Sequence, residues 1–343
     1  MAGQNKRAVT SYDVAKAAGV SQSAVSRAFT EGAKISPATK EKVRKIAAEL
    51  GYRPSFIAQS LITRRSTLIG VVVPGLVNPF YAAVLDELSQ ALNLMGYRVL
   101  LFSMYRDDGT TPIMEEILRH RVEALVLVSS SLSSHFAHEC QQLGLPVLLL
   151  NRKNDSRSVS SVTSDNLAGG AAIADFLLDL GHQQLAFVAG RDTSSTSRDR
   201  ETGFRQRLEA RGARPMLRDS GMWSIEEAMN ATRRLMALPT PPDALFCAND
   251  MMAIAALNVV VGEMGMKAGE DISIVGFDDI AMASWPSAAK SSITLPPGYL
   301  DSDYVREDGV SPARVVTRAE HCGSLAAAKW IEQRGKINDN YAY

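Results

Sequence analysis

Residues 10–29 read TSYDVAKAAGVSQSAVSRAF, and this stretch decides the fold of the N-terminal end of the chain. Thr10 or Ser11 can cap a short first helix, and Gly19 lets the backbone leave that helix. Ser21 can cap a second helix over residues 22–29, in which apolar residues recur at helical spacing. Two short helices joined by a brief turn that contains glycine are typical of a helix-turn-helix, whose second helix enters the major groove of DNA.

Charge is distributed unevenly along the chain. The 343 residues hold 37 Lys and Arg and 37 Asp and Glu, so the net charge is zero. Residues 1–66 hold 12 basic and 4 acidic side chains, a balance of +8, which leaves 25 basic and 33 acidic side chains, or −8, for residues 67–343. A basic end suits the phosphates of nucleic acid. An Ala-rich pair of short helices also occurs without a DNA-binding role, but this asymmetry favours the DNA-binding interpretation.

A third helix is predicted between the Ser36-Pro37 start and Gly51, and it completes one small core. Residues 10–29, together with ISPATKEKVRKIAAELGYRPSFIAQSL at 35–61, resemble the DNA-binding end of the lactose-repressor (LacI/GalR) family of bacterial regulators. The resemblance implies that the start of the second helix, here Gln22 and Ser23 with Arg27 one turn further on, reads base edges, for which Arg suits guanine and Gln suits adenine. It implies DNA contacts from Thr10, Ser11, Tyr12, Ser21, Gln22, Ser23, Ser26 and Arg27.

Residues 54–66 are expected to act as a hinge. By the same resemblance they form a helix only when two chains sit together on DNA, with Leu61 as an apolar wedge in the minor groove and Ile57 and Ala58 on the packing face. A helix of about ten residues is marginal in water, so its order would depend on dimerisation. The alternative is an ordinary linker with a stray hydrophobic residue.

From Leu68 the chain alternates apolar strands with amphipathic helices, and this alternation restarts after SVTSDN at 161–166. After this point the pattern predicts strands in QLAFVAG, DALFCAND and ISIVGFDD and helices over 167–180, 199–211, 225–237 and 251–264. Such alternation is typical of parallel sheets covered by helices on both faces. LVNPFY at 76–81, LGHQQLAFVAG at 180–190, ALFCAND at 244–250 and VGFDDI at 275–280 resemble the regulatory domain of the same family and, more distantly, periplasmic sugar-binding proteins. The predicted fold is therefore an all-α helix-turn-helix domain followed by an α/β domain of two lobes with parallel sheets, like type I periplasmic binding proteins.

The predicted boundaries are 1–53 for the helix-turn-helix, 54–66 for the hinge, 67–164 for the first lobe, 165–290 for the second lobe and 291–343 for a divergent C-terminal segment. The family resemblance ends near residue 288, although 291–330 could still return to the first lobe and SLAAAKWIEQRG at 324–335 suits one helix. DSDYVREDG at 301–309 is polar and rich in turn residues. An irregular or disordered segment, a genuine family variant and a change of reading frame are the alternatives here. The segment has no leucine heptads, so no tetramer-forming coiled coil is expected.

Ligands of parallel sheets bind outside the carboxyl ends of the strands, where two facing lobes line one cleft. Polar residues directly follow predicted strands at Asn78, Asp165-Asn166, Asn249-Asp250 and Asp278-Asp279, although each of them could equally cap a helix or loop. The resemblance implies an effector-binding set of Phe80, Tyr81, Arg200, Trp223, Asn249 and Asp278. Trp223 could equally be a core or surface aromatic. Arginine donors and aspartate acceptors suit a sugar, a sugar acid or a nucleoside-like molecule.

The resemblance thus implies a sequence-specific transcription regulator, most often a repressor in this family, that binds a palindromic operator in double-stranded DNA as a homodimer under control of a small-molecule effector. The sequence lacks GxGxxG, P-loop, GxSxG and HExxH motifs, so neither an enzyme nor a cofactor is expected. A transport-associated binding protein is the third class, and the basic N-terminal end and the lack of a signal peptide disfavour it. Three scattered cysteines without metal-ligand spacing, and no run of 18 apolar residues, suit a cytoplasmic protein without a metal site or membrane span.

Overall fold

The computed structural model describes residues 9–30, 32–54, 65–103, 111–129, 136, 139–140, 142–153, 159–284, 303–306 and 331. The chain divides into two compact units, Met1–Ser66 and Thr67–Tyr343. The predicted hinge residues Ile57, Ala58 and Leu61 lie outside the described residues. Within the described ranges, no helix is both long and apolar enough to cross a membrane.

The first unit contains three helices, α1 (Ser11–Ala18), α2 (Gln22–Phe29) and α3 (Pro37–Leu50). The predicted caps are confirmed, because Thr10, Ser21 and Ser36 each accept a hydrogen bond from a backbone N–H three residues later. The helices share a core of small side chains: Val14, Ala15, Ala18, Val25, Ala28, Val43 and Ala47. Because these side chains are small, the three helices pack closely. The opposite, polar face of α2 lies in solvent.

The first lobe of the second unit is built on a six-stranded sheet with the order β10-β5-β4-β3-β1-β2. Its strands are β1 (Leu68–Val73), β2 (Arg98–Ser103), β3 (Ala124–Val128), β4 (Val147–Leu150), β5 (Ser160–Ser164) and β10 (Asp303–Arg306). Two of its helices are α4 (Pro79–Leu94) and α5 (Thr111–His120). Separate apolar clusters include side chains of α4 and of α5, so helices cover both faces of the sheet, as predicted.

The second lobe is built on a four-stranded parallel sheet with the order β7-β6-β8-β9. Its strands are β6 (Leu185–Ala189), β7 (Leu217–Ser220), β8 (Ala244–Cys247) and β9 (Ser273–Val275). Its helices are α6 (Asn166–Asp179), α7 (Ser195–Ala210), α8 (Ile225–Met236), α9 (Asp250–Leu257), a π-helix (Asn258–Glu263) and a 3-10 helix (Ala281–Ser284). Phe187, Phe204 and Phe246 pack together at the centre of its core.

The structure corrects three assignments in the second lobe. The helix predicted from residue 199 begins at Ser195, because its first turn consists of hydroxyl residues without apolar periodicity. The helix predicted over 251–264 is α-helical only to Leu257 and then becomes the π-helix. Strand β7 is absent from the sequence-based prediction, because LRDS is a polar edge strand that lacks the apolar run of its neighbours.

The first lobe also differs from the sequence pattern at its β5 edge. The pattern predicts no strand between PVLLLN and the start of the second lobe at residue 165, but residues 160–164 form β5, of which only Val162 is buried. Asp303–Arg306 pair antiparallel with β5, so this part of the divergent segment is not irregular. Its Tyr304 and Val305 are residue types that favour strands. Ile331 is buried in the first-lobe core, so the C-terminal segment supplies both a strand and a core residue.

Two glycines let α6 and α7 approach to backbone contact. A Cβ atom on Gly170 would lie 2.1 Å from the Arg200 carbonyl oxygen, and a Cβ atom on Gly203 would lie 2.0 Å from the Leu167 carbonyl oxygen. Neither position accepts a larger side chain without moving a helix, because the obstructing atoms belong to the backbone. This close approach brings Arg200 on α7 next to Asn166 at the start of α6.

Candidate functional site

Helix α2 presents a polar, exposed face formed by Gln22, Ser23 and Arg27, while Val25 and Ala28 on its other face are fully buried. The Gln22 side-chain amide donates a hydrogen bond to the Ser11 hydroxyl across 2.9 Å. The Arg27 Nε donates to the Ser23 carbonyl oxygen across 3.3 Å. The three predicted base-reading residues therefore share one solvent-facing surface, and their contact with DNA stays a prediction.

The other predicted DNA contacts differ in how accessible they are. Tyr12 is 65% exposed. The Ser21 hydroxyl caps α2 and lies 2.9 Å from the Ser23 hydroxyl, and Ser26 is half-buried. The Thr10 hydroxyl donates to the Asp13 carboxylate inside the cap of α1, so this side chain already has a structural task.

A cavity of about 600 Å³ lies at the carboxyl ends of the strands of both sheets of the second unit. All six residues of the predicted effector-binding set line it: Phe80, Tyr81, Arg200, Trp223, Asn249 and Asp278. Its wall also contains Pro74 after β1, Ser129 after β3 and Asn151 after β4. Each sheet has a topological switch point, where successive strands are added on opposite sides of the first strand. These points lie between β1 and β3 and between β6 and β8, and parallel sheets bind ligands at such points.

Arg200 is the most enclosed charged side chain of this cavity, with only 2% of its surface exposed. Its Nε donates to Asn166 Oδ1 across 2.8 Å, and its Nη1 donates to the Ala248 carbonyl oxygen. Its Nη2 donates to Asp278 Oδ1 across 3.2 Å. The guanidinium also lies 3.6 Å from the centre of the Phe277 ring, so its orientation is set on every side before any ligand binds.

Two buried carboxyl groups accompany Arg200. Burial raises the pKa of Asp278 to about 6, although the nearby Arg200 charge opposes the rise. Burial and the neighbouring Asp278 raise the pKa of Asp250 to about 8. Asp250 Oδ2 accepts a hydrogen bond from the Ile280 N–H across 2.9 Å, which fixes the loop that carries Asp278. Asp250 therefore positions the loop and is not among the cavity-lining residues.

Capping, the alternative reading of the polar residues after strands, holds at several of these positions. Asn78 accepts from the Phe80 N–H, Asp165 from the Ala168 N–H and Asn249 from the Met252 N–H, each across 3.0 Å. Asn78 and Asn249 also line the cavity, whereas Asp165 does not. Capping and a place in the cavity wall are therefore compatible for the first two.

The first lobe contributes an aromatic wall. The Phe80 and Tyr81 rings meet edge to face with their centres 5.6 Å apart. Burial raises the pKa of the Tyr81 phenol, which shares a hydrogen bond with Ser129. Asn151 donates to the Ser129 hydroxyl across 2.9 Å, so Tyr81, Ser129 and Asn151 form a chain of hydrogen bonds beside the aromatic wall.

Trp223 combines the two interpretations that the sequence left open. It lines the cavity and also packs, half-buried, against the core of the second lobe. A Cβ atom on Gly190 would lie 2.2 Å from the indole, so only glycine leaves room for this ring. Trp223 and Asp278 have left-handed φ angles of 60° and 111°, and Ser129 and Asn151 have φ angles of 46° and 60°. Four of the eight non-glycine residues with positive φ in the described part of the chain thus lie in the cavity wall, and strained backbone of this kind is common at ligand sites.

Several cavity residues are missing from the sequence-based set, namely Asn78, Ser129, Asn151, Arg152, Arg191, Ser194 and Thr196. Most of them follow β1, β3, β4 or β6 within a few residues. The position of a polar side chain directly after a buried strand, which pointed to Asn78, would also have found Ser129, Asn151 and Arg152.

The second lobe also holds a Ser, His and Asp cluster at the opposite end of its sheet. His182 Nε2 lies 2.8 Å from the Ser273 hydroxyl, and its Nδ1 lies 3.5 Å from the Asp243 carboxylate. The Asp243 carboxylate accepts hydrogen bonds from the N–H groups of Gln183 and Gln184, and Ser273 is buried. These contacts join the amino ends of β6, β8 and β9, so the cluster has a structural role.

Comparisons with known proteins agree with this architecture. A family model described as bacterial regulatory proteins of the lacI family matches residues 10–55, and one described as periplasmic binding proteins and sugar binding domain of LacI family matches residues 66–297. The chain is 30% identical over 299 residues to the probable HTH-type transcriptional repressor ExuR of Bacillus subtilis, covering 84% of this chain and 87% of that protein. It is 29% identical over 296 residues to the HTH-type transcriptional repressor CytR of Escherichia coli, covering 85% and 86% of the two chains.

Solved structures give the same result. A Lac repressor dimer bound to operator and the anti-inducer ONPF matches with a TM-score of 0.78 and 26% identity, covering 98% of this chain and 94% of that one. The regulator CelR in complex with cellobiose matches with a TM-score of 0.67 and 25% identity, covering 96% and 94%. The chain therefore belongs to the LacI family of transcription regulators, in which a DNA-binding helix-turn-helix precedes an effector-binding domain.

Proposed function

We propose that this regulator represses transcription as a homodimer on a palindromic operator, and that a sugar or sugar-acid-like effector in the cavity controls its affinity for that operator. The observation that carries the proposal is the arrangement of Arg200, Asp278 and Asn249 in the wall of one cavity between two sheets. Because the operator is chromosomal, we place the protein in the cytoplasm.

On the DNA side, Gln22, Ser23 and Arg27 read base edges in the major groove. Their support is exposure on one face of α2, whose other face is anchored in the core of the unit. Arg27 matches guanine through two donors, and Gln22 matches adenine through its amide. Ile57, Ala58 and Leu61 belong to the proposed hinge helix, with Leu61 as the minor-groove wedge.

On the effector side, Arg200 and Asp278 together offer donors and an acceptor to neighbouring hydroxyl groups. Asn249 adds an amide, while Phe80, Tyr81 and Trp223 provide apolar faces for the carbon skeleton of the ligand. A cavity with a few placed polar groups among aromatic walls is typical of a small-molecule site.

The cavity controls DNA binding through the angle between the lobes. A ligand that binds one lobe arrangement better than the other shifts the equilibrium towards it, by no more than the difference of the two binding free energies. A typical coupling is about 1–3 kcal/mol, or roughly 5- to 150-fold in operator affinity.

Selection of genomic fragments with the purified full chain, repeated at low and raised salt, tests this proposal. Enrichment of a palindromic motif that survives raised salt is expected, because base contacts persist when phosphate contacts weaken. Retention that disappears with salt and shows no shared motif would contradict it. The enriched fragment then serves as the operator for ligand titrations, in which at least one compound that binds the cavity must change operator affinity.

A further inference from the structure

Five charged side chains line the cavity, and they are not balanced. The cations are Arg152, Arg191 and Arg200, and the anions are Glu226 and Asp278. Arg200 and Asp278 form an ion pair at 3.2 Å, and their side chains are 3% and 8% exposed. Glu226 lies in the first turn of α8, where the helix dipole already favours a carboxylate. Positive charge is therefore in excess, although residues 67–343 as a whole carry a balance of −8.

Arg191 is the cation that stands out. It follows Gly190 directly after β6, and its carbonyl oxygen accepts from the Ser194 N–H across 2.9 Å, which fixes the turn that carries it. Its side chain is exposed and forms no ion pair with any residue that the structure describes. The nearest acidic residues in sequence are engaged elsewhere, since Asp192 pairs with Arg218 and Asp199 pairs with Lys153.

Hydroxyl donors accompany this arginine in the cavity wall. Ser194 and Thr196 both line the cavity, are both buried and lie 2.8 Å apart through their hydroxyl oxygens. Arg152 comes from the first lobe, directly after Asn151, and its charge opposes the burial-driven rise in the pKa of Tyr81. Cationic groups therefore reach the cavity from both lobes.

Resting on the proposed function of this cavity, we infer that its ligand carries an anionic group, a carboxylate or a phosphate, and that Arg191 binds this group. The guanidinium fork matches two oxygens of either anion, and a serine or threonine hydroxyl donates a third hydrogen bond to the anion. An anion that also contacts Arg152 binds to both lobes. The charge that gives affinity therefore also favours the arrangement in which the two lobes lie close together around the ligand. The sugar hydroxyls are left to Arg200, Asp278 and Asn249.

Matched neutral and anionic compounds test the inference on the full chain. D-glucose is compared with D-glucuronate and D-glucose 6-phosphate, and D-galactose with D-galacturonate, by the rise in melting temperature and by calorimetric titration. We expect saturable binding from the anionic members only, and the glucuronate and 6-phosphate arms separate a carboxylate site from a phosphate site.

The variant R191Q removes the charge and keeps the size of the side chain. It should lower the affinity for the anionic compound at least tenfold, which corresponds to about 1.4 kcal/mol. The variant R191K keeps the charge and loses the fork, so its affinity should lie between those of R191Q and the wild type. The control is R205Q, on the exposed face of α7 in an i,i+4 pair with Glu209, which should leave binding unchanged.

Three results would overturn the inference. They are equal affinity for a neutral sugar and its acid, unchanged anion affinity in R191Q, and no binding by any anionic compound at millimolar concentration. Failure of the proposed function is a different result, because it is seen as the absence of a DNA motif in the fragment selection, whatever the cavity binds.

Discussion

The DNA-facing side chains of α2 and the side chains of the cavity are organised in opposite ways. Gln22, Ser23 and Arg27 are exposed, and each of them makes few contacts within the protein. Arg200 is buried and donates to three different groups, while Asp278 beside it is held in a strained backbone conformation. Residues of the first kind can adjust to a partner, whereas those of the second kind are part of the fold. Mutations should therefore separate binding from stability on α2 but not at the buried Arg200 and Asp278 of the cavity.

The strongest test of this difference is Arg200→Ala. The substitution leaves the Asp278 carboxylate buried without its cation, so we expect the free energy of unfolding to fall by about 3–5 kcal/mol. Because burial raises the pKa of Asp278 to about 6 while Arg200 opposes the rise, this pKa rises further in the variant, and protonation of Asp278 should relieve part of the loss as the pH falls towards 6. Urea unfolding at pH 7.5 and pH 5.5 measures both effects. The control Arg205→Ala, on the same helix but exposed, should change stability by less than about 1 kcal/mol.

Asp250 should make the stability of the second unit depend on pH. Its pKa rises from 3.8 to about 8 on folding, so the folded state holds the proton more tightly than the unfolded state. The group then costs nothing below about pH 4 and progressively more as pH rises towards 8. In Asp250→Asn the Ile280 N–H keeps an acceptor, so the stability of this variant relative to wild type should increase from pH 5 to pH 8. Parallel melting-temperature curves for the two proteins over this range would contradict the assignment.

The contact between α6 and α7 is the backbone basis of the cavity. Gly203→Ala places a methyl group against the Leu167 carbonyl oxygen, so we expect a loss of about 1–3 kcal/mol in urea unfolding and weaker ligand binding, because Arg200 moves with α7. Gly262→Ala is the matched control, since an added Cβ atom there meets nothing within 4 Å. Equal effects of the two substitutions would show that the close approach is unimportant.

The same contrast explains what the sequence could predict. The helix-turn-helix was accessible from residues 10–29 alone, because its caps, core and exposed face repeat within one short stretch. The parallel sheets were accessible from apolar runs such as LVLV in β3, which is buried along its whole length. Strands with polar residues, β5 and β7, do not produce such runs and were therefore not recognised.

The cavity is a different case, because its residues range from Pro74 to Asp278 along the chain. No local periodicity relates Tyr81 to Arg200, and only the family resemblance placed them together. Arg191 escaped even the resemblance, since an arginine in a turn has no pattern of its own. Its significance depends on a count of charges around one cavity, which requires coordinates.

On α2, the expected change is in DNA binding alone. Arg27→Ala should weaken operator binding by about 1–3 kcal/mol and relax the preference at one base pair, because a bidentate contact to guanine is lost. Its melting temperature should stay at the wild-type value, since the side chain is exposed and its hydrogen bond to the Ser23 carbonyl oxygen is local. Mobility shifts on the operator and on single-base variants measure the effect. A loss of stability comparable to that of Arg200→Ala would erase the contrast between the two regions.

The smallest effect concerns the contact between α1 and α2. The hydroxyl of Ser11 accepts from the Gln22 amide, which leaves that amide with one orientation before DNA arrives. Ser11→Ala should therefore weaken operator binding by less than about 1 kcal/mol, since the lost hydrogen bond is exposed. The decisive comparison is with Gln22→Ala and the double variant. If Ser11 acts by orienting Gln22, the two losses are not additive, because removing Ser11 has no further effect once Gln22 is gone. Additive losses would instead mean that Ser11 contacts DNA independently, as the family resemblance implies.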